Sequence, residues 1–301
     1  MPVKYVSIIT DYTYLLWQQE IQIYNFKKLG LFNDLCVVIL RDPGEPLSDY
    51  ARKMMTLCHT EIFENTQIKR HYIPSNQPFG LARILERYPK MGEKLFILDS
   101  DVIFRVPLDF SKMDNDNNWY ASDTVSYVGY QYVSGCLGEL DTKLMADIVG
   151  ISTDVLKKKE QDSGGAQYYC KNITSQFCDK VTKDCIDIYD FITKFKKSDG
   201  SYKIQVWTAL LWSWIWNMFL VADVKVIPEL QFSWAVDSVD RYYKTKMLHI
   251  AGVTGKEPGC FYKGKYAHSI PWEVEKDFSF VDRSKCWGIY TDLIEEYRKL
   301  I

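Results

Sequence analysis

The chain has 301 residues, 47% hydrophobic and 15% aromatic, which is ample material for a core and excludes wholesale disorder. Its 37 basic and 39 acidic residues are interleaved and leave a net charge of −2, so electrostatics give no case for a nucleic-acid or anionic-membrane surface. The eight cysteines form no C-x-x-C pair, which argues against a zinc cage and favours reduced, buried thiols over a disulfide framework.

The first half alternates strand-like and helix-like segments. VKYVSIIT (3–10) reads as a strand, and MPVKYVSIITDY lacks the apolar stretch and cleavage site of a signal peptide. TYLLWQQEIQIYNFKKLG follows with apolar residues at helical spacing and stops at Gly30. LCVVILRD (35–42) is a second buried strand, closed by Pro43-Gly44. SDYARKMMTLCHTE (48–61) opens on a Ser/Asp start and reads as a second helix. RHYIP (70–74) is a short strand before a third helix, NQPFGLARILERY, and LFILDSD (95–101) is the fourth strand. Strands alternating with helices predict βαβ units and a mainly parallel sheet, an α/β fold.

The second half is less regular. FSKMDNDNNW is a polar loop, and YASDTVSYVGYQYVSG is aromatic and β-branched with weak alternation. Helical stretches are expected around 166–198 and 204–222. The latter, IQVWTALLWSWIWNMFLVA, is uncharged and just long enough to span a bilayer. Gln205, Thr208, Ser213 and Asn217 interrupt it, so it is expected to be a helix buried on all sides. A strand-like KMLHI, a Gly-, Lys- and Tyr-rich loop (FYKGKYAHSIPW) and an amphipathic helix, WGIYTDLIEEYRKLI, close the chain. Without repeats or a Gly/Ser linker, one domain over 1–301 is expected. Its residues 1–105 would form a nucleotide-binding half and 106–301 an acceptor and metal-closing half. Asn172-Ile173-Thr174 matches a glycosylation acceptor, which matters only in a secreted protein.

The chemistry centres on LFILDSDVIF (95–104), where an apolar strand places two carboxylates, Asp99 and Asp101, before turning apolar again. An unpaired buried carboxylate costs several kcal/mol, so the pair sits at an exposed strand end or on a cation. Ligands of parallel sheets bind beyond the carboxyl ends of the strands, and Thr10-Asp11 and Arg41-Asp42 fall at the same edge. Three readings are open. The pair can cap a solvated turn. It can be the first motif of a haloacid-dehalogenase-like phosphohydrolase, although that motif normally lies nearer the N-terminus and the chain has no Gly-Asp. It can hold a divalent cation on the diphosphate of a nucleotide-sugar, with His249 as a distant third ligand and Lys263 meeting phosphate. Ala251-Gly252 after His249 would let a ligand come close, whereas a lone His on an apolar segment is more often a satisfied core residue.

Several stretches, in order, resemble a known group. YLLWQQ (14–19), HYIPSNQPFGLARIL, LFILDSDVIFRVPL, DSGGAQYY (162–169) and MLHIAGVTG…FYKG carry the likeness over most of the chain. They resemble the GT-A glycosyltransferases, and within them the hydroxyproline O-arabinosyltransferase and peptidyl-serine α-galactosyltransferase group, which implies a GT-A-like, Rossmann-like α/β fold with a mixed, mainly parallel sheet flanked by helices. The resemblance implies transfer from a UDP-sugar to a hydroxyl of a glycan or glycoprotein, with retained anomeric configuration and Mn²⁺ or Mg²⁺ as cofactor. It implies metal ligation by Asp99, Asp101 and His249, and Lys263 on the diphosphate. Thr10, Asp11, Tyr14, Asn76 and Ser100 become donor-side candidates. Gly164 and Gly165 would admit the donor sugar, unless they are a plain turn, and Gln167 is the nearest polar side chain. Asp101, Gln167 and Asp162 are the catalytic candidates, and an inverting enzyme would draw its base from Asp162 or Asp237. Where the group carries an acidic residue three after a Trp, this chain has Leu210, so substrate and donor should differ, or turnover is lost and the chain only binds a nucleotide-sugar. The absence of an anchor suggests a cytoplasmic, soluble enzyme of a bacterium, or of a large DNA virus acting in host cytoplasm.

Overall fold

A computed structural model describes residues 3–251, 255 and 257–301. Met1, Pro2, Val253, Thr254, Lys256 and the Gly252 of the expected close approach lie outside the described residues. In chain order the elements begin with β1 (Lys4–Thr10), α1 (Thr13–Lys28), β2 (Leu35–Arg41), α2 (Asp49–Leu57), β3 (Thr60–Glu64) and α3 (Asn76–Arg87). The middle holds β4 (Lys94–Leu98), β5 (Val102–Phe104), β6 (Trp119–Ser122), α4 (Val125–Val128), α5 (Tyr130–Leu137), α6 (Glu139–Val149), α7 (Thr153–Lys158), β7 (Gly165–Lys171), α8 (Ser175–Ile192) and α9 (Ala209–Val221). The remainder is β8 (Val224–Val226), β9 (Phe232–Trp234), α10 (Val239–Lys244), β10 (Met247–His249), α11 (Pro271–Val274) and α12 (Cys286–Arg298).

The architecture is α/β, with a seven-stranded sheet in the order β3-β2-β1-β4-β7-β6-β8 and a three-stranded sheet in the order β5-β10-β9. Ladders β1–β2, β2–β3 and β6–β8 are parallel, while β7 runs antiparallel to both β4 and β6. The mixed, mainly parallel sheet matches the expectation. The apolar run of β2 is buried along nearly its whole length, as a strand covered on both faces must be.

Three local expectations change. The second helix stops at Leu57, and Thr60–Glu64 pairs with β2 as β3. Thr60, Ile62 and Phe63 suit a pleated edge better than a helix end. The strand expected at 70–74 is instead a 3-10 turn, Ile73–Ser75, with Pro74 removing a ladder donor. The helical stretch expected from 166 begins only at Ser175, because Gly165–Lys171 is a wholly buried strand. Thr174 caps α8 by accepting from the Phe177 amide at 3.2 Å.

The chain divides into two compact units. One contains residues 3–4, 65–97 and 110–228, and the other contains 5–64, 98–109 and 229–301. In the first, α9 is buried around most of its circumference and its polar atoms are answered. Trp212 and Trp214 donate their indole N–H groups to the Val128 carbonyl (3.1 Å) and Gln77 Oε1 (2.9 Å). Ser213 donates to the Val181 carbonyl at 2.8 Å, and Asn217 to Asp184 at 3.0 Å. Among the described residues, no helix is long and apolar enough to cross a membrane. All eight cysteines are free thiols.

The second unit is built on aromatic packing. Trp17 and Ile21 of α1, Leu248 of β10, and Trp287, Tyr290 and Ile294 of α12 share one core with Phe261 and Tyr266. The α12 positions recur at helical spacing, so the amphipathic closing helix is as the sequence predicts.

Two tests follow from the first unit. A Cβ on Gly164 would lie 2.5 Å from the Ser122 carbonyl oxygen and 2.7 Å from Val226 Cγ2. Gly164→Ala should therefore cost about 1–3 kcal/mol of stability, read by denaturant unfolding. Burial pushes the Asp114 carboxyl upward, but hydrogen bonds from Lys94 Nζ (2.7 Å) and Tyr169 Oη (2.5 Å) outweigh it and hold it below the ordinary range. A folded-state value below the unfolded one means this stabilisation is complete above about pH 4 and drains away as pH falls further. Comparing acid melts of wild type and Asp114→Asn should show the gap between them narrowing below that pH.

Candidate metal centre

Beyond β4 the chain turns through Asp99, Ser100 and Asp101 into β5, and the Val102 amide closes the turn on the Asp99 carbonyl at 3.2 Å. β5 runs antiparallel to β10 with His249 opposite Val102, and the Ile250 amide donates to the Asp101 carbonyl at 3.1 Å. This register sets the imidazole beside the two acids. β9 lies parallel on the other side of β10, with Trp234 opposite His249. The Trp234 indole stacks on the imidazole at 5.6 Å and 24°, and Phe232 packs at 5.7 Å, which fixes the ring plane.

The donor atoms converge. His249 Nε2 is 3.1 Å from Asp101 Oδ1 and 3.6 Å from Asp99 Oδ2. One ligand atom from each of the three residues lies within 4.8 Å of the others. Bonds from hard divalent ions to oxygen run about 2.0–2.6 Å, so ligands of one ion can lie up to about 5 Å apart. Two carboxylate oxygens and an imidazole nitrogen thus fit a divalent cation. His249 and Asp101 are 6% and 11% exposed at the side chain, whereas Asp99 is 43% exposed, so the site opens on the Asp99 side.

Lys263 belongs to a 3-10 turn, Lys263–Tyr266, and is buried. Its ammonium donates to Asp101 Oδ2 and, at 2.8 Å, to Gln18 Oε1. Burial pushes the Asp101 carboxyl up, yet the Lys263 ammonium and the His249 imidazole outweigh it and hold it far below the usual carboxylate range. Burial pulls the His249 imidazole down, and the carboxylates of Asp101 and Asp99 raise it by more. Opposite charges stabilise each other here because burial leaves little solvent to screen them.

Thr10, Asp11, Tyr14 and Ser100 lie in the same unit as the three ligands and Lys263. Ser100 is buried in the middle of the turn. The Lys263 ammonium sits 5.8 Å from the Tyr14 ring centroid. The Thr10 hydroxyl, at the end of β1, is buried and lacks a hydrogen-bond partner among the described residues. Asp11 accepts from the Ser48 amide (2.8 Å) and the Ser48 hydroxyl (2.5 Å), so its carboxylate anchors the start of α2.

The other five candidates belong to the first unit, where their neighbours are as follows. Asn76 Oδ1 accepts from Asn65 (2.8 Å) and Gln67 (2.7 Å). Gln167 Oε1 accepts from the Ser122 hydroxyl at 2.8 Å, and Asp162 faces Lys225 at 3.4 Å. Close packing within the unit accounts for Gly164, while a Cβ on Gly165 would come within 3.0 Å of Thr124 Oγ1. Leu210 is buried there, and its amide donates to the Tyr72 hydroxyl at 3.0 Å. In the second unit Asp237 accepts from the Trp234 amide at 2.9 Å.

Gln18, Gln22 and Trp234 hold the site, and residue-type reasoning missed them. Four amides at 18, 19, 22 and 25 follow helical spacing, a signal visible in the sequence once α1 is known to be buried. No pattern in the sequence marks Trp234, because its role comes from the pairing of β9 with β10.

No known family's sequence profile matches the chain, and no curated protein does. Among solved structures, the apo form of the WbbM bifunctional glycosyltransferase aligns over 83% of this chain at 11% identity, with a TM-score of 0.41. The alignment covers 46% of that structure, so the present chain spans about half its length. A likeness at that level assigns neither fold nor activity.

Removal of the imidazole tests the centre directly. His249→Ala should weaken Mn²⁺ binding at least about tenfold in calorimetry, with the far-ultraviolet circular dichroism unchanged.

Proposed function

We propose that the chain is a metal-dependent GT-A-type glycosyltransferase that moves a sugar from a UDP-sugar to a hydroxyl of a glycan or glycoprotein. The observation that carries this reading is the convergence of Asp99 and Asp101, in the turn after β4, with His249 at the end of β10 and the Lys263 ammonium against Asp101. The order of the sequence motifs supports it.

Asp99, Asp101 and His249 would hold Mn²⁺ or Mg²⁺, which supplies positive charge to diphosphate oxygens as they become a leaving group. Lys263, steadied by Gln18, would add a second positive charge for the same phosphates. This reading assigns Thr10, Asp11 and Tyr14 to the nucleoside, supported by a Thr10 hydroxyl with no hydrogen-bond partner among the described residues, and Ser100 lies between the ligands Asp99 and Asp101. In a retaining, front-face transfer the acceptor oxygen bonds to the anomeric carbon as the bond from that carbon to the diphosphate breaks. The acceptor proton passes to the departing diphosphate oxygen, so no carboxylate base is required. An inverting route would need Asp162 or Asp237, and Asp237 is already engaged by the Trp234 amide. Gln167 and the Gly164-Gly165 pair remain donor-sugar candidates in this reading. Residues 1–105 supply its nucleotide side, and 106–301 supply its acceptor side and the closing imidazole.

One observation favours a second reading, a nucleotide-sugar binder without turnover. Leu210 is buried and apolar where the resembled group carries an acid.

Incubation with UDP-sugars, Mn²⁺ and an acceptor panel should release UDP, and EDTA should abolish the release. Asp101→Asn should lower the rate by about two orders of magnitude or more. UDP-sugar binding without release on any acceptor would decide for the binder. Nuclear magnetic resonance of the product anomer distinguishes retention from inversion.

A further inference from the structure

The Asp99–Asp101 turn is held from beneath by a chain of buried amides on α1. Gln22 Nε2 donates to the Asp99 carbonyl and to the Val102 carbonyl, both at 2.7 Å, thereby tying the first residue of the turn to the last. Gln22 Oε1 accepts from Gln19 Nε2 at 2.8 Å, and Gln19 Oε1 accepts from the Ser7 hydroxyl at 2.7 Å. Ser7, Gln19 and Gln22 are fully buried. The direction of the chain is forced. Two carbonyl acceptors demand an amide NH₂ from Gln22, which leaves its oxygen for Gln19, whose oxygen is then left for a hydroxyl donor. A reversed Gln22 amide would set oxygen against two carbonyl oxygens. One turn further along α1, Asn25 repeats the device on Phe104, donating to its carbonyl (2.9 Å) and accepting from its amide (2.8 Å). The helix therefore grips β5 and the turn before it through side-chain amides that act as a neighbouring strand would.

We propose that Gln22, backed by Gln19 and Ser7, is a positioning residue that sets the metal-binding shape of the Asp99–Asp101 turn. This rests on the metal reading given above. The hydrogen bonds of Gln22 go to the backbone, at Asp99 and Val102, and to Gln19. It fixes the backbone from which both project, and closing the turn at its two ends limits how far their oxygens can separate. A turn released at one end would lose the convergence with His249, while Lys263 would keep its contact with Gln18. Outer partners of this kind typically govern about ten- to a hundredfold of metal affinity.

The test measures Mn²⁺ affinity by calorimetry and thermal unfolding on the same samples. Gln22→Met keeps the length and bulk of the side chain and removes both donors, and it should weaken Mn²⁺ binding about tenfold or more. Ser7→Ala removes only the far end of the chain and should weaken binding less, in the same direction, without threatening the fold. Glu20→Gln, on the same helix but bonded to Tyr50, Lys53 and Tyr297, serves as the control. It should lower the melting temperature and leave Mn²⁺ affinity within about twofold of wild type. Unchanged affinity in Gln22→Met would overturn the positioning role, as would a parallel fall in Glu20→Gln. Should Gln22→Met fail to fold, unchanged affinity in Ser7→Ala overturns it alone. Wild-type protein that takes up no Mn²⁺ removes the metal reading and this one with it, whereas uptake that is insensitive to Gln22 removes this one alone.

Discussion

The site depends on one pairing, β10 laid antiparallel on β5 with His249 opposite Val102. That register decides whether the imidazole meets the two acids. A slip of one residue would turn the imidazole to the opposite face of the sheet, because side chains alternate along a strand. It would also leave Asp101, almost fully buried, facing Lys263 alone. Both strands are short, three residues each, so their own ladder cannot hold the register firmly. The holding comes from around them. Trp234 stacks on the imidazole from β9, the Asp101 carbonyl accepts the Ile250 amide, and Arg105 donates to the Thr245 carbonyl at 2.9 Å beyond the far end of the pair.

Burying charge is costly, and the cluster shows how this fold bears the cost. Asp101 has a cation on one oxygen and an imidazole on the other, and the ammonium of Lys263 is shared with an amide oxygen of Gln18. The second unit repeats the same solution at Glu20. That carboxylate, 1% exposed, accepts from Tyr50 (2.5 Å), Lys53 (2.6 Å) and Tyr297. The two clusters differ in what they leave open. Glu20 is closed in by hydroxyls and belongs to the packing of α1, α2 and α12. At the Asp101 cluster the partially exposed Asp99 offers a way in from solvent. Paired buried ionic groups occur in many proteins without a ligand, and the solvent access at Asp99 is what separates the Asp101 cluster from the Glu20 one.

Much of this was legible in the chain itself, and the parts that were not share a cause. Strand periodicity in VKYVSIIT and LCVVILRD, helical spacing in α1 and α3, and the amphipathic α12 are local signals, and they gave elements of the right type. Asp99 and Asp101 were legible because burying two acids one residue apart inside an apolar run needs an explanation. His249 was reached through resemblance and a plausible strand, and its contact with Asp101 is a matter of register, which a single sequence does not encode locally. Two of the three errors fall where tertiary pairing overrides local pattern, and the third, at 70–74, falls on Pro74. Gly165–Lys171 became a strand because it has partners on both sides in β4 and β6, and Thr60–Glu64 because the edge of β2 accepts it. Gln18, Gln22 and Trp234 went unnoticed because an amide or an indole acquires a site role only from what it faces.

α1 explains why core and site cannot vary independently. Its residue Trp17 packs edge-on against Phe261 and Tyr266, and its indole N–H donates to the Tyr266 carbonyl at 3.1 Å. Tyr266 ends the 3-10 turn that begins at Lys263. The helix thus grips the cation-bearing turn with Trp17 and Gln18, and the acid-bearing turn with Gln22 one turn further on. Since consecutive helical turns rise about 5.4 Å, the two grips hold ammonium and carboxylates at a separation set by a rigid element rather than by loops. A displacement of α1 would move both partners of the Lys263–Asp101 pair together. The same helix would resist a change that moved only one of them, and this is the form of preorganisation that a charge-neutralising site requires.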